Sequence, residues 1–181
     1  MKKYLFLLFI SLLFLTCQNK SKQEITALLE SFVNSQIVIP NNLLMKIHAD
    51  KPLDSSLLTK SCKMIVYLNA KGCESCKMQA LLSVYQFVLK NIHRKNFGVV
   101  IILNPTYIES SDHFLKNILF CHTVFYDLDG SFERLNPQLP KDERFHTFLL
   151  NQENKVILIG SPIRNAKLNK LYLAEIQKNH S

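Results

Sequence analysis

Two cysteines lie three positions apart in the stretch KGCESCKMQ, which runs from Lys71 to Gln79. The chain of 181 residues contains only five cysteines, so the pair Cys73 and Cys76 is its most distinctive chemical feature. A CxxC pair can act as a reversible redox couple, as half of a metal site or as a local disulfide. The residues around the pair decide among these three functions.

The surrounding sequence favours the redox couple. A disulfide between Cys73 and Cys76 closes a loop of two residues and constrains little of the unfolded chain, so a purely structural disulfide is the weaker alternative. Zinc takes about four ligands, and the sequence has no second CxxC. Cys121 and His122 are predicted as neighbours in one strand, where they point to opposite faces, and we predict no metal site. The remaining histidines lie in polar stretches and are predicted at the surface: His48, His93, His113 and His180.

Helical periodicity begins at the cysteines and places them at the start of a helix. Apolar residues recur there at steps of three and four: Met78, Leu81, Leu82, Tyr85, Leu89 and Ile92. At a helix N-terminus, the helix dipole and the free backbone N–H groups favour thiolate over thiol. We therefore predict that Cys73 attacks a substrate disulfide, and that Cys76, one turn later, resolves the mixed disulfide.

Charged neighbours are predicted to tune the reactivity of the pair. Lys71 and Lys77 should favour the thiolate of Cys73, whereas Glu74 is a like charge and should disfavour it. A stabilised thiolate makes the pair an oxidant, and a destabilised one makes it a reductant. The residue types alone leave both directions open.

Buried strands flank the predicted helix. The stretches CKMIVYLNA (Cys62–Ala70) and FGVVIILN (Phe97–Asn104) are apolar on both faces, which is typical of central parallel strands. A strand, a helix and a second strand form a right-handed crossover unit. Four further elements are predicted: a short helix over Glu109–Leu119, a strand over His122–Asp127, a hairpin over Phe145–Gly160 and a helix over Ala166–Gln177.

The order of these elements resembles the thioredoxin-like fold, and in particular the TlpA/ResA branch of membrane-anchored thiol-disulfide oxidoreductases. Three stretches between about residues 60 and 178 carry the resemblance: the strand leading into GCESCK, then VFYDLDGSF, and then TFLLNQENKVILIG. The resemblance implies an α/β fold in which helices flank a central mixed β-sheet. It assigns residues 60–181 to the thioredoxin-like domain and residues 25–59 to an N-terminal helical extension.

Three positions depart from the pattern of these enzymes. Tyr67 stands where thioredoxins carry a buried acid, Gly72 replaces the tryptophan before the first cysteine, and Phe145 replaces the cis-proline that faces the pair. A trans bond is expected there, because a non-proline cis bond costs about 3 kcal/mol. His146 follows and is a candidate modulator, whose imidazole would stabilise the Cys73 thiolate or carry its proton. A histidine without a role at a strand end is the favoured alternative.

The N-terminal sequence, MKKYLFLLFISLLFLTC, is typical of an export signal. Its apolar run of 13 residues is too short for a transmembrane helix, which needs about 20, and it follows two lysines. Phe14–Thr16 before Cys17 resemble the lipobox of bacterial lipoproteins. We therefore predict a signal peptide over residues 1–16, and a lipidated cysteine with its tether over residues 17–24. An uncleaved anchor, or an ordinary signal with an incidental cysteine, is the alternative.

Charge and cysteine content fit an exported domain. The formal net charge of +8 suits an anionic membrane surface, but the lysines are scattered and form no aromatic-rich basic stripe, so nucleic-acid binding is not predicted. Cys62 and Cys121 are predicted to stay unpaired in the thioredoxin-like arrangement. Their strands would lie two spacings apart, roughly 9 to 10 Å, which exceeds the ~7 Å reach of a disulfide.

These features predict an exported, lipid-anchored thiol-disulfide oxidoreductase of the bacterial cell envelope that faces the periplasm or the exterior. It would reduce or exchange protein disulfides, and it would need no bound cofactor because electrons pass through Cys73 and Cys76. Its partners would be a protein disulfide substrate or a membrane redox donor. The alternative is a non-catalytic thioredoxin-like lipoprotein that binds a partner or acts as a scaffold.

Processing at Cys17 can be tested directly. We expect the intact mass of the protein purified from bacterial membranes to show loss of residues 1–16 and addition of lipid. A full-length, unmodified mass would contradict the predicted lipoprotein.

Overall fold

The computed structural model of the chain describes residues 23–69, 71–91 and 93–178, and of Glu74 only the backbone. The predicted signal peptide and Cys17 lie outside these residues. Within them, no helix is both long enough and apolar enough to span a membrane.

A six-stranded sheet forms the centre of the domain. Its strands are β1 (Leu44–Lys46), β2 (Cys62–Leu68), β3 (Phe97–Leu103), β4 (Val124–Tyr126), β5 (Thr147–Leu150) and β6 (Val156–Ile159). Their order in the sheet is β1-β4-β3-β2-β5-β6. The pairs β2–β3 and β3–β4 are parallel, whereas β1, β5 and β6 join in antiparallel pairs. The sheet is therefore mixed, as predicted.

Helices flank this sheet. Among the described residues they are α1 (23–32), α2 (Glu74–Asn91), α3 (Ile108–Asn117), α4 (Ser131–Leu135) and α5 (Ala166–Lys178), with 3-10 helices at Ser55–Thr59 and Glu143–Phe145. The predicted fold class, an α/β domain with helices around a central mixed sheet, is confirmed. The predicted strands and the longer helices lie within a few residues of their expected bounds.

The two central strands are buried on both faces. One face of β2 and β3 packs against α2 and α5, and the other face packs against the N-terminal segment and α4. This double cover requires apolar side chains at successive positions rather than at alternate ones. The continuous apolar runs in the sequence therefore mark the centre of the sheet.

The segment 25–59, predicted as a helical extension, is helical only in part. Asn34 adopts a left-handed backbone conformation (φ 65°) just after α1, which is typical of a helix end. Its N–H donates to the Val156 carbonyl at 2.8 Å, so the chain continues in extended form beside β6. Phe32 packs edge-to-face against Phe148 with ring centroids 5.2 Å apart. The rest of this segment forms β1, at the edge of the sheet, and one 3-10 helix. These elements cover the edge and the second face of the sheet.

Cys121 and His122 precede β4 instead of lying within it, which corrects the prediction for this stretch. Pairing of β4 with β3 begins only at Val124. His122 Nε2 lies 2.6 Å from the Val99 carbonyl oxygen, so the buried ring has a backbone partner. Cys62 and Cys121 are both free, as predicted, and β3 lies between β2, which contains Cys62, and β4, which Cys121 precedes.

The surface assignment of the histidines holds for His93 and His113 but not for His48. His48 is buried, and its Nε2 lies 3.0 Å from Asp112 Oδ1 on α3. A carboxylate partner from a distant part of the chain thus makes burial of this ring possible. His180 lies outside the described residues, which contain no group of three or more His, Cys, Asp or Glu side chains suited to a metal ion.

Candidate functional site

The cysteine pair lies where β2 passes into α2. Cys73 and Cys76 are joined by a disulfide with a Cα–Cα distance of 5.3 Å, and both residues are exposed. Gly72 has a φ of 77°, in the left-handed region that glycine adopts most easily. This turn redirects the chain from the strand into α2, which begins at Glu74. The pair therefore occupies the first turn of the helix, on accessible surface.

Polar groups of that turn surround the Cys73 sulfur. The Cys76 N–H donates to Cys73 Sγ at 3.3 Å, and Ser75 Oγ lies 3.4 Å from the same sulfur. In the reduced protein these groups favour the thiolate, since hydrogen bonds to the charged form stabilise it. In the sequence, Ser75 is distinguished only by its position between the two cysteines.

Lys77 connects the loop before Cys73 to the 3-10 helix that precedes β5. Its side chain is only 13% exposed. The ammonium group donates to the backbone and side-chain oxygens of Asn69, at 3.0 and 2.7 Å, and contacts the Lys71 carbonyl. It also lies 2.9 Å from Glu143 Oε1, in the 3-10 helix before β5. One side chain thus joins the end of β2, the loop before Cys73 and the segment opposite it.

Lys71 pairs with an acidic residue from a distant helix. Its ammonium group lies 2.9 Å from Glu133 Oε2, and the Asn69 side-chain amide donates to Glu133 Oε1 at 2.9 Å. Partial burial acts to raise the pKa of the Glu133 carboxyl, but these hydrogen bonds outweigh it and the pKa lies below its ordinary value. Glu133 is on α4, whose five residues are too few for apolar periodicity to reveal the helix.

The two lysines predicted to modulate the pair therefore face oxygen atoms. Within the described part of the chain, neither ammonium group donates to Cys73 or Cys76, and each has a carboxylate partner, Glu133 or Glu143. A cation matched by an anion exerts a weaker field on a third group. The lysines consequently act more by holding the loop than by supplying positive charge. The Glu74 side chain lies outside the described residues.

His146 is buried beside the pair and keeps one ring nitrogen free. It is 4% exposed, and its Nε2 lies 2.7 Å from the Pro140 carbonyl oxygen, which can only accept a hydrogen bond. Nε2 therefore carries the proton, and Nδ1 is an acceptor with no partner in the described residues. Burial lowers the pKa of His146, opposed by the Pro140 hydrogen bond and by Glu133 and Glu143. The imidazole is thus neutral near pH 7.

A cavity of about 410 Å³ brings His146 and both cysteines together. Lys77, Glu143 and Tyr67 also line it. The Tyr67 ring lies 5.4 Å from the His146 ring, and burial together with the nearby Glu133 carboxylate raises the pKa of Tyr67. Its phenol stays neutral, so Tyr67 cannot replace an ionised acid. Glu143, the carboxylate in this lining, is paired with Lys77, whereas the neutral imidazole has an acceptor nitrogen without a partner among the described residues.

A wider groove of about 880 Å³ continues from Cys76 along α2. Its lining shares Leu68, Ala80, Glu143 and Arg144 with the smaller cavity and extends to Phe114, Ile163 and Arg164. Apolar side chains form much of the surface, and charged groups lie among them. A groove of this size next to an exposed disulfide can hold an extended polypeptide segment.

The loop that faces the cysteines has a trans peptide bond at Phe145, as predicted, where the enzymes that the chain resembles have a cis-proline. No peptide bond in the described residues is cis, and Phe145 ends a 3-10 helix. The His146 carbonyl accepts a hydrogen bond from the Tyr67 N–H at 2.9 Å, so β2 already uses it. One of the two acceptor positions of that carbonyl is therefore occupied within the sheet.

Solved structures of bacterial thiol-disulfide proteins share this fold. A protein assigned as the thiol:disulfide interchange protein DsbE of Chlorobium tepidum is 20% identical, with 80% of this chain and 99% of that one covered and a TM-score of 0.53. The C-terminal domain of a protein assigned as a thiol-disulfide oxidoreductase of Bacteroides thetaiotaomicron is 12% identical, with 82% and 99% covered and a TM-score of 0.55. StoA of Bacillus subtilis is 14% identical, with 74% and 99% covered and a TM-score of 0.50.

No protein-family model matches the chain, and no curated protein matches it in sequence. The likeness to solved structures at such low identities establishes the fold, which is thioredoxin-like.

The two lysines beside the pair should differ in their contribution to stability. We expect Lys77→Ala to lower the free energy of unfolding by about 2 kcal/mol, since it removes several hydrogen bonds from a mostly buried cation. Lys71→Ala removes an exposed ion pair and should cost less than about 1 kcal/mol. Urea unfolding of the oxidised protein, followed by circular dichroism, measures both. Equal losses in the two variants would contradict the assigned role of Lys77.

Proposed function

We propose that this protein is a thiol-disulfide oxidoreductase of the bacterial envelope that reduces or exchanges protein disulfides. One observation carries the proposal: an exposed Cys73–Cys76 disulfide in the first turn of α2, in a thioredoxin-like fold. A disulfide that closes a loop of two residues adds little to the stability of the fold. Because this one is exposed, it is also accessible to reduction.

The reaction starts from the reduced pair. The Cys73 thiolate attacks one sulfur of the substrate disulfide, and the second substrate sulfur leaves and takes up a proton. Cys76 then loses its proton and attacks Cys73 Sγ, which breaks the mixed disulfide and releases the first substrate sulfur as a thiol. Two electrons pass to the substrate, and the protein is left with the Cys73–Cys76 disulfide. A donor dithiol regenerates the pair by the reverse exchange.

His146 supplies the base for the second step of this proposal. Its neutral imidazole has a buried Nδ1 with no hydrogen-bond partner in the described part of the chain, and it lines the same cavity as Cys76. Accepting the Cys76 proton converts that thiol into the nucleophile. The proposal requires another base because the phenol of Tyr67 remains neutral where thioredoxins carry an acid.

The charge arrangement favours reduction over oxidation. Lys71 and Lys77 are matched by carboxylates, so the Cys73 thiolate depends on the helix terminus, the Cys76 N–H and Ser75 for stabilisation. A less stabilised thiolate makes the disulfide form more favourable and the dithiol a better reductant. The groove beside Cys76 supports a polypeptide as the substrate.

The envelope location is the part of the proposal that depends on the sequence alone. The charged start, the short apolar run and Cys17 support export and a lipid anchor, with the domain facing the periplasm or the exterior. A membrane redox donor is then the expected source of electrons.

Trapping a mixed disulfide tests the roles of the two cysteines. We expect reduced Cys76→Ser to accumulate a covalent adduct with insulin through Cys73, because the resolving thiol is missing. Cys73→Ser should form no such adduct, and Cys121→Ser should reduce insulin like the wild type. Non-reducing mass spectrometry identifies the linked peptides. Failure of Cys76→Ser to form the adduct would favour a binding protein over an enzyme.

The pH dependence of mixed-disulfide resolution tests His146. A thionitrobenzoate group placed on Cys73 is released when Cys76 attacks, and its absorbance reports the rate. Since burial lowers the pKa of His146 below about 6.5, the base stays competent through neutral pH and release should vary little between pH 7 and 9. In His146→Ala, release should be at least about tenfold slower at pH 7 and rise with pH toward the ordinary thiol pKa of about 8.5.

Both proteins carry Cys17→Ser and Cys121→Ser so that other thiols do not react, and the thermal midpoint of each is compared. Superimposable pH profiles would exclude His146 as the base. A uniform loss at all pH values would indicate a structural role only.

A further inference from the structure

A second cavity, of about 600 Å³, lies at the opposite end of the sheet from the cysteines. It contacts Phe97, Gly98 and Val99, the first residues of β3, which pair with the first residues of β2. The cysteines instead follow the last residues of β2. Seven residues of strand separate the two ends, which corresponds to roughly 20 Å.

Unpaired cations surround this second cavity. Lys51, Lys60, Arg94 and Lys95 line it, and none of them has a carboxylate partner among the ion pairs of the described residues. Asp54 is its only acidic lining residue there. The Asp54 carboxylate already accepts hydrogen bonds from the N–H and hydroxyl groups of Ser56. The rim is therefore cationic, in contrast to the balanced charges beside the cysteines.

The floor of the same cavity is largely apolar. Leu57, Val88, Phe97 and Val99 are buried and line it, together with the buried polar residues Asn91, His122 and Thr123. At Gly98 a Cβ atom would lie 3.0 Å from Lys60 Cγ and 3.1 Å from the Leu57 carbonyl oxygen, so the segment packs closely at this position. Leu53 lies at the edge with 48% of its surface exposed.

A largely apolar floor within a cationic rim suits an anionic amphiphile rather than a simple ion. We propose that this cavity binds the headgroup of an anionic phospholipid at the membrane surface, with the exposed Leu53 entering the interface. The proposal rests on the envelope location proposed above. Docking by this end would hold Cys73 and Cys76 about 20 Å away from the lipid, facing the aqueous compartment where substrates arrive.

Hydrogen exchange of the full chain, anchored in vesicles, tests the docking. We compare vesicles of phosphatidylcholine alone with vesicles that contain about one third phosphatidylglycerol. In the anionic vesicles, exchange should slow at least about fivefold over residues 51–60 and 93–99, and remain unchanged over residues 71–77. Equal exchange in both kinds of vesicle would overturn the proposal.

Two double charge-reversal variants distinguish binding in this cavity from attraction by the net charge of the protein. Lys51→Glu with Lys95→Glu should abolish the slowing, whereas Lys167→Glu with Lys170→Glu, on the exposed surface of α5, changes net charge equally and should preserve it. If the slowing of exchange were lost equally in both variants, the attraction would be non-specific, and the proposed binding in this cavity would be wrong. Slowing by inorganic phosphate in phosphatidylcholine vesicles would show that the ligand is a free phosphate and overturn the membrane assignment.

Thionitrobenzoate release, measured on the anchored protein carrying Cys121→Ser in the same vesicles, reports the redox pair independently, since lipidation already blocks the Cys17 thiol. Its absence would count against the proposed function, while the exchange data would still decide whether the membrane docks at the opposite end.

Discussion

Burial of β2 on both faces sets the requirements for the rest of the domain. β2 pairs with β3 on one side and β5 on the other, and its residues from Cys62 to Tyr67 are all buried. Such a strand needs apolar cover above and below. α2 and α5 cover one face, and Phe32 and Phe132 contribute to the cover of the other. Because Phe132 lies on α4, this cover also brings Glu133 to the cysteine loop.

The partners of a charged group determine what it does at the site. Lys77 follows Cys76 directly in the sequence, yet its ammonium group points to Asn69 and Glu143 and holds the loop. His146 shows the converse, since its burial removes the charge and leaves an acceptor nitrogen. The site therefore combines a neutral imidazole with a sulfur whose neighbouring cations are matched by carboxylates. In the proposed function, that combination suits a dithiol that gives up electrons.

The sequence was sufficient for the features that depend on long regular patterns. The runs that form β2 and β3 and the periodicity of α2 placed Cys73 and Cys76 correctly at a strand-to-helix junction. The strand predicted from His122 began too early, because an apolar pattern alone does not show where pairing with β3 starts. Short elements such as α4 and β1 have too few residues for periodicity to reveal them.

The site was predictable in its reactive residues but not in their partners. Lys71, Lys77 and His146 were identified from their proximity to the cysteines or from the fold resemblance. Their carboxylate and carbonyl partners come from segments more than 60 residues away or from a separate loop, and they become neighbours only when the sheet is assembled. Tertiary contacts likewise leave Nδ1 of His146 without a hydrogen-bond partner among the residues that the structure describes.

The central claim is that Cys73 and Cys76 form a reversible redox couple that favours reduction of its substrate. The reduction potential of the full chain, measured by equilibration in thiol-disulfide buffers with mass spectrometry of the trapped thiols, tests it most directly. We expect one two-electron couple near that of thioredoxin, about −270 mV. The absence of a reversible couple, or a potential near the strongly oxidising value of about −120 mV, would contradict the account.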